Sequence, residues 1–181
     1  SLSALDYTAT GAVTPPTYSA QQDRLMMLGM AGSEGVRSRP TSTTGELAVT
    51  TTGAANGSVN VAAGHVLIAA AAGQGAYYAY NDATTVVGPF AANSSGNPRI
   101  DVVVVRITEG ATPATAFAIL QGTPAASPTA PTVTKTTSTI EIALAQVTIQ
   151  NGFTTTTTVG TLSSIADVRP RAFVTNAQVS A

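Results

Sequence analysis

The most informative feature of this 181-residue chain is what it lacks. It has no cysteine, no tryptophan and one histidine, and charged residues make up only 9% of it, against roughly 25% in typical globular domains. The absence of cysteine excludes disulfides and thiolate metal sites. Because the formal net charge is only −1, little repulsion opposes contact between copies, and we expect a homo-oligomer.

The sparse charge also argues against two classes of partner. Nucleic-acid-binding proteins concentrate Lys and Arg in a patch that contacts several phosphates, whereas the eight basic residues here are scattered. No apolar run reaches the roughly 20 residues of a membrane-spanning helix, and the N-terminus lacks the basic-then-apolar pattern of a secretory signal. We therefore expect neither a nucleic-acid partner nor membrane insertion.

Residues able to carry out catalysis are few. His65 is the only histidine and stands in an alanine-rich segment, the nine acidic residues are dispersed, and no glycine-rich phosphate loop leads from a strand into a helix. His65 is interpreted as a structural or exposed residue. Spatial pairs such as Asp82 with Asp101 could still form, since strands bring distant residues together. We expect no enzymatic activity, no metal site and no cofactor.

The segment 97–107 predicts the central strand of the domain. Pro98 favours an extended entry, and from Ile100 to Ile107 the residues are mostly β-branched and apolar on both alternating faces. This pattern is typical of a strand buried on both sides. Arg99 and Asp101 share one face at its start and are predicted to form a surface ion pair at the end of the core, worth about 0–1 kcal/mol.

The remaining sequence predicts an all-β domain over residues 19–170, mainly an antiparallel sandwich or barrel, with an extended arm over 1–18 and a tail over 171–181. A single short N-terminal helix is predicted over residues 19–30, opened by a capping box and with its methionines packed in the core. Asn56-Gly57 and Asn151-Gly152 predict hairpins, and a change of apolar face at Leu144-Ala145 predicts a β-bulge. Further strands are predicted at 45–52, 58–61, 65–72, 76–80, 84–87, 115–121, 140–149, 154–159 and 165–170.

Several short motifs occur together in a known order. They include Asp23-Arg24 in the helix, the Asn-Pro-Arg-Ile-Asp entry with Arg99 and Asp101, the Gly-Thr-Pro-Ala-Ala-Ser-Pro segment with Gly122 and Pro124, and the Ile-Ala-Asp-Val-Arg-Pro segment with Asp167 and Arg169. Over roughly residues 19–170 the chain resembles the N-terminal β-rich domain of minor tail proteins, from the tail tip or baseplate of siphophages that infect actinobacteria. These eight residues are expected to be structural.

The resemblance implies a virion protein without enzymatic activity. It would assemble with other virion subunits in the bacterial cytoplasm, as an oligomer for which a trimer is expected, and reside on the exterior of the tail or capsid. Because the sequence ends at Ala181, soon after the last motif, an assembly adaptor or decoration subunit is favoured over a receptor-binding head. The same fold would serve a capsid decoration or head-fibre protein.

A third interpretation is a carbohydrate-binding module for the host surface. Three tyrosines cluster at 77, 78 and 80, and strand alternation places Tyr78 and Tyr80 on one face, where they could contact a glycan. The absence of tryptophan argues against it. The apolar residues of the two ends of the chain predict that at least one end crosses to a neighbouring subunit, where it could extend a sheet.

Overall fold

The computed structural model describes residues 20–37, 45–110 and 113–172. This part of the chain contains one helix and ten strands, and all paired strands are antiparallel, so the predicted all-β class with one short N-terminal helix is confirmed. The predicted arm and residues 173–181 of the predicted tail lie outside the described residues. The elements are α1 (Ala20–Ala31), β1 (Gly35–Arg37), β2 (Val49–Thr51), β3 (Val59–Val61), β4 (Gly64–Ala69), β5 (Ala76–Asn81), β6 (Thr85–Val87), β7 (Arg99–Thr108), β8 (Ala114–Leu120), β9 (Thr139–Ile149) and β10 (Ser163–Asp167).

The strands form three sheets around one core. The four-stranded sheet has the order β10–β9–β7–β8, the β4 sheet has the order β1–β4–β5, and the β3 sheet has the order β2–β3–β6. Each contributes inward side chains to a shared apolar cluster, for example Val103, Ile68 and Val59. The sheets therefore pack face to face and do not close into a single barrel.

Strand β7 is the central strand that the sequence predicts. It lies between β8 and β9, and its residues from Val102 to Val105 are buried on both faces. Val103 lies opposite Ala145 whereas Val104 lies opposite Ala143. Leu144 is thus the extra residue of a β-bulge, at the position where the apolar face of the sequence changes.

One predicted strand is absent, and one observed strand was not predicted. Residues 154–159 form turns, because threonine hydroxyls bond to neighbouring groups there: the Thr154 N–H donates to Oγ1 of Thr157 at 3.0 Å. Such local bonds compete with a β-ladder. Strand β1 was not predicted because it has only three residues and depends on hydrogen bonds to distant segments. For example, the Val36 N–H donates to the Pro170 carbonyl at 2.7 Å.

The helix is present, but its methionines do not pack in the core, so that prediction is wrong. None of the residues of α1 is buried, and Met30 is 83% exposed. The first half of α1 is anchored through Gln21 Nε2 to the Gly73 carbonyl at 2.7 Å and through Arg24 Nε to the Gln74 carbonyl at 3.1 Å. In the second half, Met26, Met27 and Met30 are exposed.

Candidate functional site

The Arg99–Asp101 pair lies inside the domain and is not the surface pair that the sequence predicts. The side chains are 2% and 0% exposed, and Arg99 Nε donates to Asp101 Oδ1 at 2.9 Å. The prediction fails because the two residues share the inward face of β7 with Val103. The guanidinium also donates to the carbonyls of Ala91 and Ala92, so it holds the preceding loop against the sheet.

Asp101 joins this pair to the segment that follows β8. Its Oδ1 accepts the Gly122 N–H at 2.9 Å. A Cβ atom at position 122 would lie 2.0 Å from the Ile100 carbonyl oxygen, so only glycine allows this approach. The half-buried Pro124 follows, and the Ala125 N–H donates to the Pro98 carbonyl at 3.0 Å. The Asn-Pro-Arg-Ile-Asp motif at the start of β7 and the Gly-Thr-Pro motif after β8 are therefore in contact at one end of the sheet.

Asp167 and Arg169 form a second anchoring pair. The guanidinium contacts both carboxylate oxygens, at 2.8 and 2.6 Å, and also donates to the Glu46 carbonyl. Mainly through its side-chain hydrogen bond to the carboxylate, Arg169 lowers the pKa of Asp167 from 3.8 to about 2. The pair connects the end of β10 to the segment before β2.

Sequence reasoning missed two further ion pairs. Arg106 Nε donates to Glu141 Oε1 at 2.7 Å, with Glu141 buried, and Lys135 Nζ lies 2.5 Å from Glu34 Oε2. Both pairs join residues distant in sequence, and Arg106 lies directly opposite Glu141 only in the observed β7–β9 register. For Arg106 and Glu141, opposite charges on two predicted strands were the available signal, but the register was unknown. Glu34 and Lys135 lie outside the predicted strands. In all four pairs, the charges fasten loops and strands to one another.

The described part of the chain shows no arrangement typical of a catalytic centre. Among those residues, no three His, Asp or Glu side chains are grouped as a metal site would require, and no helix is long and apolar enough to cross a membrane. A cavity of about 330 Å³ lies where β5, β6 and β8 approach one another. Its described lining is mostly apolar and contains no carboxylate, histidine or basic group. The lining includes Leu47, Val66, Ala79, Tyr80, Val105 and Phe117.

Two exposed surfaces distinguish the molecule. The first, here called the α1 surface, consists of Leu25, Met26, Met27 and Met30, all exposed. Asp23 is exposed in the first turn of α1, where its charge complements the helix dipole. Arg24 stacks over the ring of Tyr77, 4.8 Å from its centroid. Both residues of the predicted Asp23-Arg24 motif therefore belong to the anchored end of the helix.

The second surface, the tyrosine face, lies on the outer side of the β4 sheet. Tyr78 and Tyr80 are 49% and 63% exposed, whereas Tyr77 packs against the core, as strand alternation predicts. His65 lies between the two exposed rings, with centroid distances of 5.5 Å to Tyr78 and 6.2 Å to Tyr80. The Tyr78 hydroxyl is 2.6 Å from His65 Nδ1. Sequence reasoning found the tyrosines but did not connect His65 with them.

Comparison of the chain with protein-family models, with curated proteins and with solved structures found no match.

Proposed function

We propose that this protein is a structural subunit of a tailed-phage virion, most simply an assembly adaptor of the tail tip or baseplate. The observation that carries the proposal is the α1 surface. Four large apolar side chains are exposed on a helix whose first half is fastened to the domain. Met26, Met27 and Met30 lie within one sector of the helix, because successive residues are about 100° apart. An exposed apolar surface of this kind marks a contact with another protein, and methionine side chains adapt their shape to a partner.

The arrangement of charge supports the same proposal. Arg99, Asp101, Arg106, Glu141 and Arg169 all bind groups within the domain. Ion pairs that join loops to sheets stabilise a particular shape, and they leave a surface with little charge to repel another subunit. This distribution suits a protein whose work is to pack against others, with no catalytic residues and no cofactor.

The first test replaces two residues of the α1 surface with lysine. Met26 and Met30 are 59% and 83% exposed, so a Met26→Lys/Met30→Lys variant should keep the wild-type melting temperature. Incorporation into particles should fall at least tenfold, since a partner would have to bury two charges. Quantitative mass spectrometry of purified virions measures it, after complementation of a phage that lacks the gene.

Val86→Lys provides the matched control, because Val86 is 60% exposed but lies on β6, away from α1. It should be incorporated like the wild type. Absence of the wild-type protein from purified particles would overturn the proposal. Immunogold labelling then separates the tail tip from the capsid, where the protein would be a decoration or head-fibre subunit.

The proposed oligomer is a trimer, as the resemblance to minor tail proteins implies. Multi-angle light scattering on the purified protein should give three times the monomer mass at micromolar concentration. A stable monomer at about 500 μM, together with one copy per site in the particle, would contradict it. The low net charge of −1 removes one barrier to such association.

The tyrosine face favours a second function, contact with a glycan of the host surface. Two exposed tyrosine rings, one of them fixed by a hydrogen bond to His65 at 2.6 Å, form a preordered platform. Binding of the purified protein to a glycan array, lost in Tyr80→Ala and retained in Val86→Ala, tests it. A protein that binds no glycan would have the assembly role alone.

A further inference from the structure

We infer that the tyrosine face binds an acidic saccharide and that Arg37 selects the acidic group. This inference rests on the glycan-binding function proposed above and adds the class of sugar. It does not depend on the virion location of the protein. Its starting point is a row of three side chains across the β4 sheet, which the strand register brings together from three separate strands.

The register places Arg37 opposite His65, and His65 opposite Tyr80. Residues directly opposite each other in a sheet carry their side chains on the same face. Val36 and Val66 point into the core, so Arg37, His65 and Tyr80 point outward. Three adjacent strands span about 10 Å, which matches the length of two linked sugar rings.

Arg37 differs from the other basic side chains that the structure describes. Arg24 binds a carbonyl and an aromatic ring, and the remaining ones lie against carboxylates. Arg37 has no ion pair, hydrogen bond or ring contact within the described ranges. Because the other basic side chains that the structure describes bind groups within the domain, this guanidinium is left to bind an anion from outside. It can hold a carboxylate or phosphate through two parallel hydrogen bonds.

The surroundings of Arg37 provide space for such a ligand. A groove of about 290 Å³ runs beside it, between the second half of α1 and the outer face of the β4 sheet. Met27, Met30, Leu67 and Tyr78 line this groove with Arg37. The walls of the groove are apolar and its end is cationic. An acidic sugar is complementary to both, because it has apolar C–H faces and one negatively charged substituent.

The roles of the other two side chains follow from their contacts. Tyr80 is the most exposed aromatic ring of the row, and its free side can stack on the C–H face of a sugar. When the Tyr78 hydroxyl donates to His65 Nδ1, the neutral imidazole carries its proton on Nε2, which can then donate to a sugar hydroxyl. Tyr78 is thus a positioning residue for His65.

An acidic peptide is a less suitable ligand for this face. A peptide that binds a sheet uses the backbone groups of an edge strand, whereas this row crosses the middle of a sheet and includes β4, which is paired on both sides. The face offers rings and side-chain donors, and rings stack on sugars without contacts to a ligand backbone. The observations therefore favour a saccharide.

The experiment compares one acidic and one neutral probe by isothermal titration calorimetry at low salt. Trigalacturonic acid should bind at least about tenfold more tightly than neutral galactotriose, and the ratio should shrink as salt is added. Arg37→Gln should reduce the ratio to near one without weakening binding of the neutral sugar. Tyr80→Ala should weaken both. Arg171→Gln removes an equal charge from the segment that pairs with β1 on the side opposite β4, and it should change neither.

Each alternative outcome overturns the inference in a distinguishable way. Equal binding of the two sugars by the wild type would refute the acidic preference but leave glycan binding intact. Binding of neither sugar at millimolar concentration would refute both. An equal effect of Arg171→Gln would show a general charge effect, and equally tight binding of triglutamate would show that the face is not specific for sugars. If Arg37→Gln fails to melt like the wild type, Arg37→Lys replaces it and should lower the ratio severalfold.

Discussion

The substitution Arg99→Met distinguishes the observed interior ion pair from the surface pair that the sequence predicts. Methionine retains most of the apolar volume of the arginine stem but has no donors. Asp101 would then keep one hydrogen bond, from the Gly122 N–H, and lose three contacts with the guanidinium at 2.9–3.1 Å. The carbonyls of Ala91 and Ala92 would lose their donor as well.

The expected loss of stability is large because the carboxylate that remains is fully buried. Removing one partner of a buried ion pair costs about 3–5 kcal/mol, against a total stability of roughly 5–15 kcal/mol for a domain. For a chain of this length that corresponds to a fall in Tm of roughly 6–20 °C. A surface pair would cost only about 0–1 kcal/mol, so the two arrangements predict clearly different results.

Urea denaturation followed by far-UV circular dichroism measures the free energy of unfolding. Arg171→Met is the control, since that guanidinium lies 3.8 Å from a half-exposed carboxylate, and it should change stability by less than about 1 kcal/mol. The double variant Arg99→Met/Asp101→Leu should recover much of the loss, because no unpaired charge remains. A loss below about 1 kcal/mol for Arg99→Met alone would refute the interior location of the pair.

Four further substitutions test the fold. Val103→Asp places a charge among apolar side chains that are fully buried and should abolish cooperative melting. Gly122→Ala should cost at least about 2 kcal/mol in urea denaturation, because its Cβ would lie 2.0 Å from a β7 carbonyl, whereas Gly29→Ala has open space and should stabilise by up to about 1 kcal/mol. Asp167→Asn removes a carboxylate whose pKa Arg169 lowers to about 2. The stability difference from wild type should stay within about 1 kcal/mol because the carboxylate is exposed. It should be present above pH 4 and be lost as pH falls through about 2.

Features that depend on a short stretch of sequence could be predicted. The two-sided apolar pattern of β7 required burial on both faces wherever its neighbours came from. The bulge at Leu144 was predictable because the apolar face of β9 changes within two residues. Both predictions use side-chain alternation along a single strand, and they needed no knowledge of strand pairing.

Features that depend on pairing between distant segments could not be predicted. The location of Arg99 and Asp101 inside the domain requires the loop at Ala91 and the turn at Gly122 to cover the same end of β7. No local sequence pattern predicts that these two distant segments contact the same end of β7. The row of Arg37, His65 and Tyr80 likewise depends on the registers of two strand pairs, and an error of one residue in either would move a side chain to the other face.

The environment of α1 shows a different limit. The sequence contains enough helix-forming residues to predict the helix, yet its apolar residues occupy consecutive positions at 25–28 and again at 30. Consecutive apolar residues surround a helix and do not form the single stripe that core packing requires. The apolar composition of α1 suggested that the helix is buried, whereas the spacing of its apolar residues did not define a face that could be buried. The spacing was the more informative of the two signals.

The described domain departs from the usual arrangement in two ways, because it buries several charged side chains and exposes methionines. Arg99, Asp101 and Glu141 are buried, while Met26 and Met30 are exposed. Compared with apolar residues at the buried positions and a covered helix, both features lower the stability of an isolated domain, since burying ions carries a desolvation penalty and exposing methionine forgoes apolar burial. A partner that covers the α1 surface would restore the second contribution and bind only the folded state. Assembly should therefore raise the melting temperature of the domain. This increase should disappear in the Met26→Lys/Met30→Lys variant. Before assembly, the variant and the wild type should melt at the same temperature.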